Sequence, residues 1–305
     1  MITVNDIEFS YSADSPVFKQ FSLQIKKGAL FGLLAPNGAG KTTLIKLLTG
    51  LNVPTNGSIQ IDDKSFSTDR DAILSKIAIV PQEYAFYSQF TAYENLRFFS
   101  RLYKHTDSEN KIQRALEITQ LQDHKHRLAK NYSGGLKRRL NFAIGLLNDP
   151  DLLILDEPTV GIDAQSRQFI LQAIMDINNQ GTTILFTSHY IDEIEKTCDT
   201  IAIMDEGKIQ SIGKLDQLLG SKTVTIELDE NINNDQSRSS LFDYIKQENF
   251  NINDSQISGD ASDAKKISRL IAKVVDLGFN INNIQYGQQN LESLFFEKIK
   301  SRLSV

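Results

Sequence analysis

Tryptophan is missing from this chain, cysteine occurs once and proline six times in 305 residues. With Cys198 alone, no disulfide can close within the chain, and the fold must rest on a packed core. A lone thiol of this kind fits a reducing compartment and a space-filling role. Positive charge is in deficit: 33 Lys and Arg against 38 Asp and Glu leave a net charge of −5. That balance gives no electrostatic reason to expect nucleic acid as a partner. No apolar run approaches the ~18–20 residues a helix needs to cross a bilayer, so the chain is expected not to span a membrane by itself. The first residues, MITVNDIEFSYS, are acidic where a secretory leader has a basic start and an apolar core. The remaining composition, 40% hydrophobic and 23% charged, is that of an ordinary globular protein. Its length suits one large α/β domain and a smaller one.

What the chain does have is one stretch with a clear chemical reading, ALFGLLAPNGAGKTTLIKLL from Ala29 to Leu48. Ala29 to Leu34 is short and apolar, as in a buried strand. Ala35, Pro36, Asn37, Gly38, Ala39 and Gly40 form a loop of small and turn-forming residues. From Lys41 the apolar side chains of Leu44, Ile45, Leu47 and Leu48 recur at helical spacing. Strand, glycine loop and helix together are what a phosphate-binding loop requires. Gly38 and Gly40 let backbone N–H groups turn inward. The helix start adds free donors and the positive end of a dipole. Lys41 is placed to reach terminal phosphates and Thr42 to offer a hydroxyl to magnesium, with Thr43 beside it. The general pattern asks for glycine where Ala35 stands, and an ordinary L-residue conformation there would make the exchange cheap.

Other candidates follow from position. Tyr11, about 30 residues before Lys41, either stacks on an adenine ring or is a core or edge-strand tyrosine. Ile77 to Val80 reads as a strand ending in Pro81-Gln82. Gln82 either touches a metal and the attacking water or is a solvated loop residue. Glu83 to Phe90, EYAFYSQF, either anchors a helical subdomain or forms an apolar patch that docks another protein, the reading preferred here. Thr91 with Glu94 predicts a capped helix to Tyr103, and a second helix is expected from Lys111 to Leu121. His124, His126 and Arg127 have no evident metal partner. Tyr132-Ser133-Gly134-Gly135-Leu136 precedes a helix expected over Lys137 to Leu147 and makes a second anion-binding arrangement of hydroxyl, bare N–H groups and dipole. Lys137, Arg138 and Arg139 add positive potential there or form a solvated face.

Leu152 to Leu155 is a continuous apolar run, the mark of a strand buried in a parallel sheet. It ends in Asp156-Glu157, where open α/β sheets bind ligands. Asp156 is placed to hold magnesium and Glu157 to polarise a water against a γ-phosphate. Pro158 to Asp163 forms a turn before a helix. The strand Thr183 to Phe186 leads to His189, read as aimed at the γ-phosphate. Further strands and turns close the first domain, a short helix from Leu215 to Lys222 links onward, and the boundary is placed at 220/221. Residues 221–305 are richer in Asn, Asp and Ser. Strands at Val224 to Leu228 and Ile281 to Tyr286, with helices at Ala264 to Asp276 and Leu291 to Ile299, suggest a small α+β domain without chemistry of its own.

Taken in order, Tyr11, Gly40-Lys41-Thr42-Thr43, Gln82, Tyr132-Ser133-Gly134-Gly135, Asp156-Glu157, Gly161-Ile162-Asp163 and His189 resemble the ATP-binding-cassette ATPases over Met1 to Lys214. The resemblance is specific, because the Ser-Gly-Gly element between phosphate loop and carboxylates is peculiar to that phosphate-loop class. It implies an α/β phosphate-loop core with mixed sheet and a helical subdomain near 83–150. The residues after Ser-Gly-Gly resemble the bacterial branch that powers drug, lipid and polysaccharide exporters, and Leu291-Glu292-Ser293-Leu294-Phe295 resembles the end of that branch's accessory domain. The sequence departs from the family at Ala35 and at Leu136, where glutamine or methionine is common.

The resemblance implies ATP and Mg2+ as ligands, the latter held by Thr42, Gln82 and Asp156. Hydrolysis would be carried by Glu157 and His189 with Lys41 and Gln82. Two copies would sandwich two ATP molecules head to tail, Ser133, Gly134 and Gly135 of one closing over the γ-phosphate on the other. Asp163 would link the two sites. It also implies a separate membrane permease, docked near Gln82 to Phe90, and a cytoplasmic position on the inner face of the membrane. The competing reading is a soluble cassette ATPase acting on ribosomes or DNA. A regulator without hydrolysis is disfavoured by Glu157 and His189.

Overall fold

A computed structural model describes residues 1–12, 15–103, 107–220, 223–229, 239–253, 255–287 and 290–300. One compact unit holds Met1–Leu215 and a second holds Asp216–Glu297.

The first unit begins with β1 (Ile2–Ser12) and β2 (Ser15–Ile25), whose apolar residues alternate inward, as the period-2 pattern requires. β3 (Leu30–Leu34) is buried at every position and leads into α1 (Lys41–Leu48). β4 (Asn56–Ile61) and β5 (Lys64–Ser65) complete an antiparallel sheet of order β2-β1-β4-β5. The short α2 (Arg70–Leu74) precedes β6 (Ile77–Val80). Three helices follow, α3 (Ala92–Leu102), α4 (Ser108–Ile118) and α5 (Gly134–Leu146). They share a core of Leu96, Ile112, Leu116, Leu140 and Leu147. The chain then alternates through β7 (Leu152–Asp156), α6 (Ala164–Asn179), β8 (Thr183–Ser188), α7 (Ile191–Thr197), β9 (Thr200–Asp205) and β10 (Lys208–Lys214).

These strands form a second sheet of order β10-β9-β3-β8-β7-β6, parallel except for β10. Strands β3, β7 and β8 are almost wholly buried, which is why they read as unbroken apolar runs. Helix α1 supplies Leu44, Ile45, Leu47 and Leu48 to the same core cluster as Ile2, Val4 and Ile7 of the antiparallel sheet and Phe31 and Leu33 of the parallel one. The phosphate-loop helix is thereby wedged into the main core.

Side-chain caps mark the starts of α3, α5 and α6. Thr91 and Glu94 form a reciprocal capping box: the Glu94 N–H donates to Thr91 Oγ1 at 3.2 Å and the Thr91 N–H to Glu94 Oε2 at 2.8 Å. Such a cap contributes about 1 kcal/mol. Helix α5 starts three residues before the expected Lys137, because Ser133 caps it and both glycines are helical. Helix α4 runs Ser108–Ile118, offset from the expected Lys111 to Leu121.

In the second unit, which α8 (Leu215–Leu219) leads into, the expected helix end at residues 221 and 222 lies outside the described residues. Strands β11 (Thr223–Leu228), β12 (Asn251–Asn253), β13 (Gln256–Asp260) and β14 (Ile281–Gly287) form an antiparallel sheet of order β12-β13-β11-β14. Helices α9 (Ser239–Gln247) and α10 (Ala264–Asp276) bury Leu241, Ile245, Leu270 and Val274 in one core with Val224 and Ile226 of β11, and α11 (Leu291–Lys300) follows. Neither α9 nor the β12–β13 hairpin is among the elements expected from the sequence. Among the described residues no helix is long and apolar enough to cross a membrane, and no group of His, Cys, Asp or Glu could by itself hold a metal ion.

Cys198 is buried against β3, and burial pushes its thiol up to about 12. A Cβ on Gly32 would lie 2.6 Å from Ile194 Cγ2 and 2.9 Å from Cys198 Sγ. Gly32→Ala is therefore expected to cost about 1–3 kcal/mol by overpacking, read as a lower urea midpoint at unchanged m. Cys198 should resist thiol reagents in the native protein at pH 8.5 and react on unfolding; equal rates in the two states would contradict the burial. Because the folded thiol keeps its proton to a higher pH than the unfolded one, its stabilising share is complete below the unfolded thiol range, about 8.5. It is lost as pH climbs from there toward 12.

Candidate phosphate site

Because β3, β7 and β8 run parallel, their carboxyl ends open on one side of the sheet, where ligands bind in open α/β folds. The register pairs Leu34 with Ser188 and Asp156 with Thr187. The loop after β3 therefore sits beside the ends of β8 and β7.

The loop turns on Gly38 at φ +82° and Gly40 at φ +108°, a region costly for any residue with a Cβ. Gly40 is the N-cap of α1 and no side chain caps that helix, so its first N–H groups stay available. Ala35 is not among the residues with positive φ, and its methyl is buried in the core; alanine fits this position without strain. Lys41 Nζ donates to the carbonyls of Ala35 at 2.6 Å and Pro36 at 3.3 Å and lies 3.7 Å from Glu157 Oε1. Burial lowers the lysine's affinity for its proton, and the Glu157 and Asp156 charges partly restore it. A cavity of about 240 Å3 is lined by Pro36, Asn37, Gly38, Gly40, Lys41, Thr42, Thr43, Gln82, Asp156 and Glu157. Val17 of β2 lines it too, a residue that nothing in the sequence marks.

The two carboxylates differ. Asp156 is raised by burial and by the neighbouring Glu157 charge, against a hydrogen bond that lowers it: Thr187 Oγ1 donates to Asp156 Oδ1 at 2.8 Å. Glu157 is 6% exposed and sits at φ +48°, rare for a residue with a long side chain. Its N–H donates to the Thr187 carbonyl at 3.0 Å, which secures that backbone. Such strain costs about 1–3 kcal/mol and gathers at functional sites. His189 Nδ1 is 3.2 Å from Glu157 Oε2, with its ring half exposed and packed on Tyr190. Tyr11 is 60% exposed. Its hydroxyl is 3.3 Å from Thr43 Oγ1, its edge meets Phe9, and Lys46 lies 5.9 Å from its ring centre. Tyr11 is thus a surface ring tethered to the phosphate-loop helix and not a core residue.

Ser133, Gly134, Gly135 and Asp163 do not line this cavity. They meet at two neighbouring helix starts. Ser133 Oγ caps α5 by accepting from the Leu136 N–H at 3.3 Å, and Asp163 caps α6 by accepting from the Ser166 N–H at 2.9 Å and the Ser166 hydroxyl at 2.8 Å. A Cβ on Gly135 would fall 2.0 Å from Ser166 Oγ. Glycine is needed there for the two helix ends to close on each other.

One member of the basic triplet departs from a solvated face: Arg138 is 3% exposed, while Lys137 and Arg139 are partly exposed. The Arg138 guanidinium donates to the carbonyls of Pro81 at 3.3 Å, Gln82 at 2.9 Å and Val160 at 3.1 Å and stacks 5.0 Å from the Tyr84 ring centre. Arg139 lies over Phe169 at 3.7 Å. In the segment after Gln82, Phe86 packs on the helical core while Tyr84, Tyr87 and Phe90 stay 40–50% exposed, so the segment both anchors and presents rings. Gln82 is itself exposed at the cavity edge.

The ABC transporter family model matches residues 18–160. The chain is 35% identical to the linearmycin resistance ATP-binding protein LnrL of Bacillus subtilis over 303 residues, 97% of each chain. It is 36% identical to the Nod factor export ATP-binding protein I of Cupriavidus pinatubonensis, over 71% of this chain and 69% of that one. Among solved structures, an ATP-binding subunit of an ABC transporter superposes with TM-score 0.65 at 26% identity, covering 72% of this chain and 91% of the other. These likenesses favour a transporter subunit over a cassette acting on ribosomes or DNA. Near-complete coverage of a full-length relative, joined to a phosphate loop, paired carboxylates and a Ser-Gly-Gly helix start on one fold, places this chain in the ABC transporter family as an ATP-binding, ATP-hydrolysing subunit.

Proposed function

We propose that two copies of this chain clamp two ATP molecules between them and that this closure drives export through a separate membrane permease. The observation that carries the reading is the division of the phosphate-binding groups. Lys41, Thr42 and the bare start of α1 line one cavity, while Ser133 and the start of α5 stand outside it. Ser133, Gly134 and Gly135 of one copy would complete the cradle of the other, with Asp163 at the seam.

The loop N–H groups and Lys41 hold the β- and γ-phosphates, and Tyr11 offers its face to the base. The residues suit magnesium: one carboxylate, Asp156, with the Thr42 hydroxyl and the Gln82 amide fits an ion that takes few protein ligands and keeps phosphate oxygens and water. Such an ion would neutralise charge gathering on the phosphate oxygens. Glu157 orients a water and takes its proton as the water oxygen bonds to the γ-phosphorus and the bond to the ADP oxygen breaks. His189, against Glu157, contacts the γ-phosphate. The half-exposed rings of Tyr87 and Phe90 receive a cytoplasmic helix of the permease, which puts the subunit on the inner membrane face. The relatives' names, linearmycin resistance and Nod factor export, support export as the direction. The unit from 216 serves as an accessory domain of that branch.

Glu157→Gln should bind ATP, accumulate as a dimer by light scattering and turn over roughly 10²–10⁴-fold more slowly. Turnover at the wild-type rate would remove Glu157 from this role. Asp156→Asn keeps the oxygen that Thr187 bonds and removes a charge from a buried site. Its unfolding midpoint without nucleotide should be no lower than wild type, and the rise in midpoint on adding magnesium and ATP should disappear. Tyr87→Ser with Phe90→Ser should leave basal ATPase intact and abolish co-purification with the permease in detergent; unchanged co-purification would refute the docking surface.

A further inference from the structure

Glu193, on α7, is a fully buried carboxyl that lines no part of the phosphate cavity. Its Oε2 accepts two hydroxyls, Thr159 Oγ1 at 2.7 Å and Ser188 Oγ at 2.9 Å. Its Oε1 lies 3.4 Å from Arg167 Nε, close enough for an ion pair but without hydrogen-bond geometry. Burial pushes this carboxyl up, and the two hydroxyls and Arg167 pull it back. A buried ionisable group is costly, and a well-packed apolar residue in its place is often neutral or stabilising. Stability alone therefore does not account for glutamate here.

The partners of the Glu193 carboxylate lead to the proposed hydrolytic pair. Thr159 is two residues beyond Glu157 at the exit of β7, and Ser188 is the last residue of β8, immediately before His189. Ser188 Oγ also accepts the Tyr190 N–H at 3.0 Å, so its hydroxyl ties down the residues on both sides of His189. Arg167 bonds back to the Asp163 carbonyl through its own N–H at 2.9 Å. Its guanidinium covers Tyr190 at 4.5 Å, whose ring packs 4.2 Å from that of His189. One carboxylate oxygen thus joins the loops leaving two neighbouring strands.

We propose that Glu193 is a positioning residue for hydrolysis: by accepting Thr159 and Ser188 on one oxygen, it locks the exits of β7 and β8 together and holds His189 against Glu157. The inference rests on the roles assigned above to Glu157 and His189. Among the described residues, the groups assigned above to nucleotide and magnesium, Tyr11, Lys41, Thr42, Gln82, Ser133 and Asp156, make no hydrogen bond to the Glu193 carboxylate, so its loss should be felt in turnover before binding. In Glu193→Leu, kcat should fall by at least roughly tenfold, the scale of a catalytic pair displaced by a fraction of an ångström. The ATP concentration at half-maximal rate and the affinity of the magnesium–ATP complex should stay within about twofold of wild type, as for a loss confined to the transition state. Glu193→Gln retains an acceptor for both hydroxyls and should recover most of the rate. Thr159→Val and Ser188→Ala, milder changes that test the network if Glu193→Leu does not fold, should each lower kcat without changing affinity.

An unchanged kcat in Thr159→Val and Ser188→Ala overturns the proposal. So does a fall in affinity as large as the fall in kcat, or a Glu193→Gln as slow as Glu193→Leu. Wild-type protein and Glu157→Gln assayed in parallel keep the two claims apart. If Glu157→Gln turns over normally, the underlying assignment has failed. If it is dead while the Glu193 series is normal, only the positioning role has.

Discussion

The parallel pairing of β3 with β8, and of β8 with β7, is the constraint on which the rest of the first unit depends. It sets the loop that follows Leu34 beside the ends of the two strands carrying Asp156 and Ser188. Nothing local brings Lys41 to within 3.7 Å of Glu157; the two are more than a hundred residues apart in the chain. The sheet does this by register, and a slip of one residue would turn every inward side chain outward. Part of the apolar burial that fixes the register comes from α1, whose Leu44, Ile45, Leu47 and Leu48 share one core with residues of both sheets. The candidate binding element is thus also part of the core.

This dual use carries a cost that is visible in the site. Lys41 and Glu157 are buried charges, and Glu157 has a backbone conformation unusual for its type. Each is tolerated because neighbours over-determine it: carbonyls of Ala35 and Pro36 for the lysine, the Thr187 carbonyl for the Glu157 N–H. Strained backbone persists where the surroundings fix it, and Glu157 at the candidate site meets that condition, as one of nine non-glycine residues with positive φ among the described residues.

Much of this was legible in the sequence, for reasons that are themselves local. A glycine loop between strand and helix, a Thr-x-x-Glu helix start, and wholly apolar runs ending in acids are signals contained in a few adjacent residues. The capping box at Thr91 and the strand Ile77–Val80 appear as expected. What was not legible depends on partners far away in sequence. Arg138 reads as one of three surface cations, and only the fold brings three backbone carbonyls to it. Glu193 and Thr187 look like routine residues of a helix and a strand until their hydroxyl and carboxyl partners are seen. Val17 carries no chemical mark. In the second unit, β12 has three residues, too few for any periodicity to show, whereas α9 carries an apolar face of Leu241, Phe242 and Ile245 that could have marked it in the sequence.

Arg138 has a mechanical consequence. It sits in the second turn of the helix that Ser133 caps, and it grips the backbone at Pro81 and Gln82 on one side and at Val160 on the other. Tyr84 leans on it from the rim of the aromatic segment, and its hydroxyl donates to the Gly134 carbonyl at 3.4 Å. The exposed rings and the serine–glycine start of α5 are therefore joined through one guanidinium and one phenol, and separating them would cost these bonds.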